Sequence, residues 1–240
     1  MNEHPLDLSS RVIDSGVADA PVNRLTQELS ELADGVALVE SFSHAVVVTT
    51  DDGLVVFDTS GATTGPDVVA AIREWSDAPI ASIVYTHGHL DHVGGSRAFA
   101  ADADRRDEPR PRVVGQRRII PRFARYEATS GYNRIANLRQ FGGATKSGVD
   151  TDRPFVPPRT MHPDVVYDDR LTDHVGGVEF EHNACLGETD DHTWTWIPSC
   201  KTITAGDQFI WMFPNCGNPQ KVQRYPLEWA RSLREMASRD

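Results

Sequence analysis

Cysteine is scarce and scattered in this 240-residue chain, which contains only Cys185, Cys200 and Cys216. No two of them form a Cys-x-x-Cys pair, so the spacing excludes a zinc ribbon and a thioredoxin-like redox site. An odd number of distant cysteines also argues against a disulfide framework. The first twenty residues have no basic start followed by an apolar stretch, so no secretory signal is expected. These features together predict a reduced, cytoplasmic setting.

Long apolar runs and an excess of basic residues are also missing. No stretch approaches the length of about 20 apolar residues that crosses a bilayer, so no membrane span is predicted. The chain has 24 Lys and Arg against 35 Asp and Glu, a net charge of −11. Such a charge repels phosphate backbones, which excludes nucleic acid as an expected partner. The acidic residues are scattered in short groups, a pattern typical of plain solubility.

The length of the chain bounds its domain organisation, since 240 residues bury one substantial core. The opening segment is polar and predicts a flexible arm over residues 1–23, followed by one domain over residues 24–240. Leucines at 25, 29 and 32 recur at helical spacing and predict the first helix of that domain.

Strand and helix patterns then alternate in two similar batches. Short runs rich in β-branched residues predict antiparallel strands, and the helical segments bury one apolar face. Two batches of strands, each followed by helix, favour an αββα sandwich in the α/β class over a doubly wound sheet. An irregular stretch at 142–163 predicts a loop at the substrate mouth. The predicted strands are 36–39, 45–49, 54–57, 80–85, 113–115, 165–167, 178–181, 193–197 and 202–205, and the predicted helices are 65–75, 96–101, 118–141 and 226–236.

The segment 86–95, directly after a predicted buried strand, reads THGHLDHVGG. It places three imidazoles and one carboxylate within six residues, and these are groups that Zn, Mn and Fe accept as ligands. The flanking glycines permit the tight turns that such a centre needs. A solvated histidine-rich loop does not explain four ligand-type residues at this spacing. The segment therefore predicts a metal site at His87, His89, Asp91 and His92.

This motif resembles the signature loop of the metallo-β-lactamase superfamily, and the resemblance extends over most of the chain. It implies the αββα fold and a pair of ions, expected to be Zn²⁺, with other divalent metals as alternatives. His87 and His89 would bind the first ion and Asp91 and His92 the second. Asp207, in an Ala-Gly-Asp segment after a predicted strand, would lie between them. Asp58, after the strand at 54–57, would support the histidine loop by hydrogen bonding.

The third ligand of the first ion is a histidine in most of this superfamily, whereas the chain has Glu188 in a Leu-Gly-Glu-Thr segment. A glutamate there is similar to the alkylsulfatase branch. Segments bearing Arg and Asn resemble that branch as well, although an exposed basic helix is the other explanation for each single residue. Guanidinium groups bind tetrahedral oxyanions in a two-pronged manner. The substrate-binding residues implied in this way are Tyr132, Asn133, Arg134, Arg139 and Arg224.

His192 lies four residues after Glu188 and has three interpretations, as a ligand, a substrate donor or a structural histidine. We favour a place behind the ligands or in the pocket. Asp91 and His192 are the two residues predicted to take part in catalysis.

The resemblance implies a hydrolase in which metal-bound hydroxide attacks a small anionic ester, first of all an alkyl sulfate. A generic thioester or lactone hydrolase on the same fold is the alternative within the enzymes. The superfamily normally closes its second site with a late histidine, but nothing after His192 is a histidine. Relative to the family the fold is thus expected to be C-terminally incomplete. A truncated fragment, a half completed by a second chain or by a homodimer, and a natural short form all remain open.

Overall fold

The computed structural model describes residues 2–19, 23–140, 153–210 and 224–239. Eleven strands and seven helices lie in these ranges. The strands are β1 (Leu29–Ala33), β2 (Val36–Val39), β3 (Ala45–Thr50), β4 (Gly53–Phe57), β5 (Ile80–Val84), β6 (Arg112–Gln116), β7 (Val165–Tyr167), β8 (Arg170–Val175), β9 (Val178–Cys185), β10 (His192–Ile197) and β11 (Thr202–Thr204). The helices are α1 (Pro5–Ser15), α2 (Gly65–Trp75), α3 (Leu90–Val93), α4 (Ser96–Arg106), α5 (Ile119–Ala128), α6 (Ser130–Gln140) and α7 (Pro226–Met236).

The strands form two sheets. A seven-stranded sheet has the order β1-β2-β3-β4-β5-β6-β7, antiparallel from β1 to β4 and parallel from β4 to β7. A four-stranded antiparallel sheet has the order β11-β10-β9-β8. Because the carboxyl ends of the parallel strands β4 and β5 lie at one edge, the loops that follow them meet there.

The two sheets pack face to face, and helices cover the outer faces. Along β3 to β6, buried residues alternate: Val47 and Val56 pack with α2, α4 and α5, whereas Val48 and Val55 pack with the second sheet. The outer face of the second sheet carries Trp194 and Trp196, which pack against α7. This period of two is what buries both faces of a sheet. The predicted αββα sandwich is confirmed.

The amino-terminal part differs from the sequence prediction. The prediction of a helix from the leucines at 25, 29 and 32 is wrong, since this region contains strand β1. Leu29 pairs with Val39 of β2 and packs against the core, while Leu25 is exposed. Pairing with a neighbouring strand here overrides the local helical spacing. The predicted arm contains helix α1, which buries Leu8.

Further along, the helix predicted at 118–141 is two helices, α5 and α6, which meet at Thr129. Helix α4 continues to Arg106, beyond the end predicted at residue 101. Strand β8 was not predicted. Residues 142–152 of the predicted loop at 142–163, and Cys216, lie outside the described residues. Within the described ranges, no helix combines the length and hydropathy that a bilayer crossing requires.

Phe57 offers a test of the packing between the sheets. Its ring is 2% exposed and lies 6.1 Å from the ring of Phe180 in the opposite sheet. Phe57→Ala should lower the free energy of unfolding by about 3–5 kcal/mol, because it leaves a cavity between the sheets. Urea denaturation followed by circular dichroism measures this change. Phe209→Ala, at a ring that is 75% exposed, should change it by less than about 0.5 kcal/mol. Equal effects would contradict the assigned core.

Candidate metal centre

The histidine motif occupies the loop after β5 and the short helix α3. His87 and His89 lie in the loop, and Asp91 and His92 lie in α3. All three histidines are buried. The turn that ends α3 passes so close to the end of β4 that a Cβ at Gly95 would lie 1.9 Å from the Thr59 carbonyl oxygen. A residue without a side chain is required there, which is the structural reason for that glycine of the motif.

The second sheet brings its carboxylates to the same place. Glu188 follows β9, and Asp207 lies in a short 3-10 turn, Gly206–Gln208, that follows β11. The Thr193 amide donates to the Thr86 carbonyl oxygen at 2.6 Å, which joins β10 to the loop after β5. Glu188 is 7% exposed, whereas the Asp207 side chain is 31% exposed. The centre therefore lies where the ends of both sheets meet.

The first group of donor atoms fits a divalent ion. His87 Nε2 lies 2.8 Å from His89 Nδ1, and Glu188 Oε2 lies 3.4 Å and 3.3 Å from these two nitrogens. Donors around a tetrahedral zinc ion, at bond lengths of about 2.0–2.1 Å, are roughly 3.3 Å apart. One ligand atom from each of His87, His89, Glu188 and Asp207 lies within 4.8 Å of the other three. The residues present thus match the ion that the motif implies.

A second group of donors adjoins the first through Asp207. His92 Nε2 lies 3.4 Å from Asp207 Oδ1 and 3.6 Å from Asp91 Oδ2. Ser43, in the loop between β2 and β3, places its Oγ 2.9 Å from Asp91 Oδ2 and 3.1 Å from His92 Nε2. No sequence pattern indicates Ser43, because a lone serine 48 residues before its partner has no recognisable spacing.

Asp58 connects the end of β4 to the motif. Its Oδ2 lies 2.7 Å from His92 Nδ1, and it also accepts hydrogen bonds from the Thr86 amide at 2.8 Å and the Thr86 hydroxyl at 2.7 Å. Asp58 adopts a left-handed backbone conformation with φ +60°. With Nδ1 of His92 held by this carboxylate, Nε2 faces Asp91 and Asp207. Such a contact fixes both the tautomer and the orientation of a ligand histidine.

The electrostatics favour a cation. Burial, with the neighbouring His92 and His89, lowers the pKa of His87 to about 4, so its imidazole is neutral near pH 7 and has a lone pair to offer. Burial alone would raise the pKa of Glu188, but the adjacent His89 and His87 hold it below its usual value. The same balance, with His92 as the partner, lowers the pKa of Asp207. The centre thus combines a neutral imidazole with ionised carboxylates.

His192 lies behind the first group of donors. It is fully buried, and its ring stacks on His87 with centroids 4.6 Å apart and an interplanar angle of 16°. Burial, with the neighbouring His87, lowers its pKa to about 3, so the ring is neutral. Neither ring nitrogen has a hydrogen-bond partner among the described residues. His192 thus lies against the ring of His87, and its part in catalysis stays a prediction.

Of the predicted substrate residues, Arg224 contacts the candidate ligand Glu188. Its Nη1 lies 2.8 Å from Glu188 Oε1 and donates to the Glu188 carbonyl oxygen at 2.6 Å. The next amide, of Tyr225, donates to the Gly187 carbonyl oxygen at 3.0 Å. This part of the chain therefore holds the turn that carries Glu188.

The other four predicted substrate residues lie on α6. Arg134 lines a cavity of about 320 Å³ together with Leu90, Asn137, Leu138 and Phe155. Leu90 belongs to α3, between His89 and Asp91, so the cavity adjoins the metal loop. Asn133 is buried and donates to the Thr129 hydroxyl at 2.8 Å, whereas Tyr132 and Arg139 are exposed. Of these four residues, the structure places Arg134 on the cavity wall.

Residues 38–210 match the family model described as the metallo-beta-lactamase superfamily. The chain belongs to the metallo-beta-lactamase superfamily. A stretch of 52 residues of this chain is 42% identical to a linear primary-alkylsulfatase from a Pseudomonas strain. It covers 21% of this chain and 10% of the relative. A second linear primary-alkylsulfatase from Pseudomonas sp. is 31% identical over 80 residues, covering 32% of this chain and 12% of the relative.

Solved structures of the superfamily share the fold. The stereoselective inverting sec-alkylsulfatase Pisa1 from Pseudomonas sp. matches with a TM-score of 0.71 and 22% identity, over 88% of this chain and 37% of that protein. BJP-1, a subclass B3 metallo-beta-lactamase of Bradyrhizobium japonicum, matches with a TM-score of 0.55 and 18% identity, over 90% of this chain and 75% of that protein. The chain thus spans well under half the length of the alkylsulfatases that it matches.

Asp58 provides a test of the centre that needs no substrate. Asp58→Asn should weaken metal binding by about 10-fold to 100-fold, because the contact that orients His92 is lost. Competition with a coloured chelator measures the affinity. Asp102→Asn is the matched control, since Asp102 is also 3% exposed and bonds to Arg73 away from the centre. An unchanged affinity in Asp58→Asn would contradict the assigned contact.

Proposed function

We propose that this chain is the catalytic domain of a dinuclear metal-dependent hydrolase, with zinc ions and with alkyl sulfate esters as substrates. The observation that carries the proposal is the pair of adjoining donor groups, which share Asp207. His87, His89 and Glu188 would hold one ion, and Asp91 and His92 the other. Divalent ions at these positions would supply a water of lowered pKa and a counter-charge for the developing oxyanion.

The side chains around the donors have distinct roles in this proposal. Asp58 orients His92, and Arg224 holds one oxygen of Glu188 while the other faces the histidines. His192 covers the inner side of His87 and keeps water from it. These contacts fix the donors before an ion arrives, which limits the ordering that binding requires.

The cavity beside the metal loop supports an amphiphilic anionic substrate. Its walls combine one guanidinium, Arg134, with the apolar side chains of Leu90, Leu138 and Phe155. A guanidinium binds the tetrahedral oxygens of a sulfate group, and apolar walls accept a hydrocarbon chain. The similarity to two linear primary-alkylsulfatases points to the same class of substrate. The glutamate at 188, in place of histidine, counts against thioester and lactone hydrolysis.

Elemental analysis combined with a substrate panel tests the proposal. The purified chain should contain two zinc ions, and His89→Ala should lose the ion held with His87 and Glu188. Alkyl sulfates should be hydrolysed, whereas acyl-glutathione, lactones and β-lactams should not. Activity on acyl-glutathione or lactones alone would contradict the proposed substrate. Two bound ions without any turnover would favour an inactive fragment or one half of a two-chain enzyme.

Arg134 tests the location of the anionic group. Arg134→Gln should raise KM for alkyl sulfates by about 10-fold to 100-fold, the loss of a hydrogen bond to a charged group worth about 1.5–3 kcal/mol. Its metal content should stay at that of the unaltered chain. Arg110→Gln, which removes an exposed guanidinium that pairs with Asp104, should leave both quantities unchanged. An unchanged KM in Arg134→Gln would remove this residue from the substrate site.

A further inference from the structure

A buried ion pair lies beside the centre without belonging to its donors. Arg122, on α5, places its Nε 2.6 Å from Asp191 Oδ2. The Asp191 side chain is fully buried and the Arg122 side chain is 8% exposed. A second nitrogen of Arg122 contacts the carboxylate of Asp190, and Arg118, the residue that directly precedes α5, donates to the Asp190 carbonyl oxygen at 3.0 Å. These contacts attach the first part of α5 to the turn before β10.

A buried ion pair joins a helix to a turn at a high cost in desolvation free energy. Removing two charges from water costs several kcal/mol per ion, and apolar residues of similar volume often stabilise a fold more. Burial alone would raise the pKa of Asp191, but Arg122 outweighs it and lowers the pKa to about 2, so the carboxylate is ionised. A charged pair here points to a requirement for geometry beyond cohesion of the fold.

The pair touches the backbone of the histidine motif directly. Asp191 Oδ2 also accepts from the amide of Gly88, at 3.1 Å. Gly88 is the residue between His87 and His89. A Cβ at this position would lie 2.8 Å from Arg122 Cδ and 2.9 Å from Asp191 Oδ2. The backbone between the two histidines is thus packed against both members of the pair.

The same turn also carries parts of the centre that come from the second sheet. Asp191 directly precedes His192, whose ring stacks on His87. It follows Glu188 by three residues, and Glu188 Oε2 faces both histidines of the loop. One carboxylate, held by one guanidinium, therefore joins the two loops that supply the first group of donors.

We infer that Arg122 and Asp191 are positioning residues of the first metal site. They hold the Gly88 backbone so that His87 Nε2 and His89 Nδ1 face Glu188. The inference rests on the proposed function, since it assumes that these three donors bind an ion. Neither residue is a ligand, and neither contacts the substrate in this assignment.

Metal affinity and the Co²⁺ absorption spectrum test the inference. Arg122→Gln should lower the affinity of the first site for its ion by about 10-fold to 100-fold, because the donors lose their fixed geometry. The visible Co²⁺ spectrum should change for the same reason. Arg122→Lys keeps a buried positive charge for Asp191 but loses the Nε contact, so it should fold and show a smaller loss. Chelator competition gives the affinity, and circular dichroism at the same temperature confirms that each variant is folded.

Arg73→Gln is the matched control. Arg73 Nε lies 2.7 Å from Asp102 Oδ2, with exposures of 13% and 5%, and this pair joins α2 to α4 away from the centre. Arg73→Gln should lower stability as Arg122→Gln does, with unchanged metal affinity and Co²⁺ spectrum.

The outcomes separate the inference from the proposed function. Lower stability with unchanged affinity and spectrum in both Arg122 variants would overturn the positioning role and leave the metal centre intact. If Arg122→Gln does not fold, an unchanged affinity in Arg122→Lys overturns the role just as well. If His89→Ala binds metal as tightly as the unaltered chain, the proposed centre itself is wrong.

Discussion

The geometry of this protein depends on the contacts of one carboxylate, that of Asp58. It binds the end of β5 through two hydrogen bonds from Thr86 and binds α3 through His92. It therefore fixes two adjacent strand ends and the helix that carries half of the motif relative to one another. The parallel pairing of β4 and β5 brings these groups to one edge, and Asp58 converts that closeness into a defined arrangement. The centre follows from a sheet edge and one acidic side chain.

Charge is the second constraint. Asp58, Asp91, Asp207 and Glu188 crowd around three histidines, and like charges at this separation destabilise a fold without cations. Arg224 neutralises part of this charge by pairing with Glu188, and Arg122 neutralises the neighbouring buried carboxylate of Asp191. The surroundings of the donors are thus arranged to keep carboxylates ionised in a buried place. A local loss of folding stability of this kind is typical of functional sites.

Sequence reasoning succeeded where the signal is local. The runs 36–39 and 54–57 have the short β-branched pattern of strands, and the motif carries its chemistry within six residues. Sequence reasoning failed where the structure of a segment depends on the strand that pairs with it. The segment before β2 forms a strand because β2 is beside it, and polar β8 is defined by its hairpin with β9. The Gly176 and Gly177 turn, with φ +47° and +79°, was the available signal for that hairpin. Arg122 meets Asp191 across 69 residues, a contact that no local pattern contains.

The position of Asp207 has a consequence for how the two halves of the fold hold together. Its carboxylate and that of Glu188 come from the second sheet, whereas the histidines come from the first. Donors split in this way are assembled only while the sheets are docked, so an ion that they bind would hold the two sheets together. By mass action, the binding free energy of the ion would add to the free energy of unfolding of the docked sheets. Metal supply would then govern the lifetime of the folded chain as well as its chemistry.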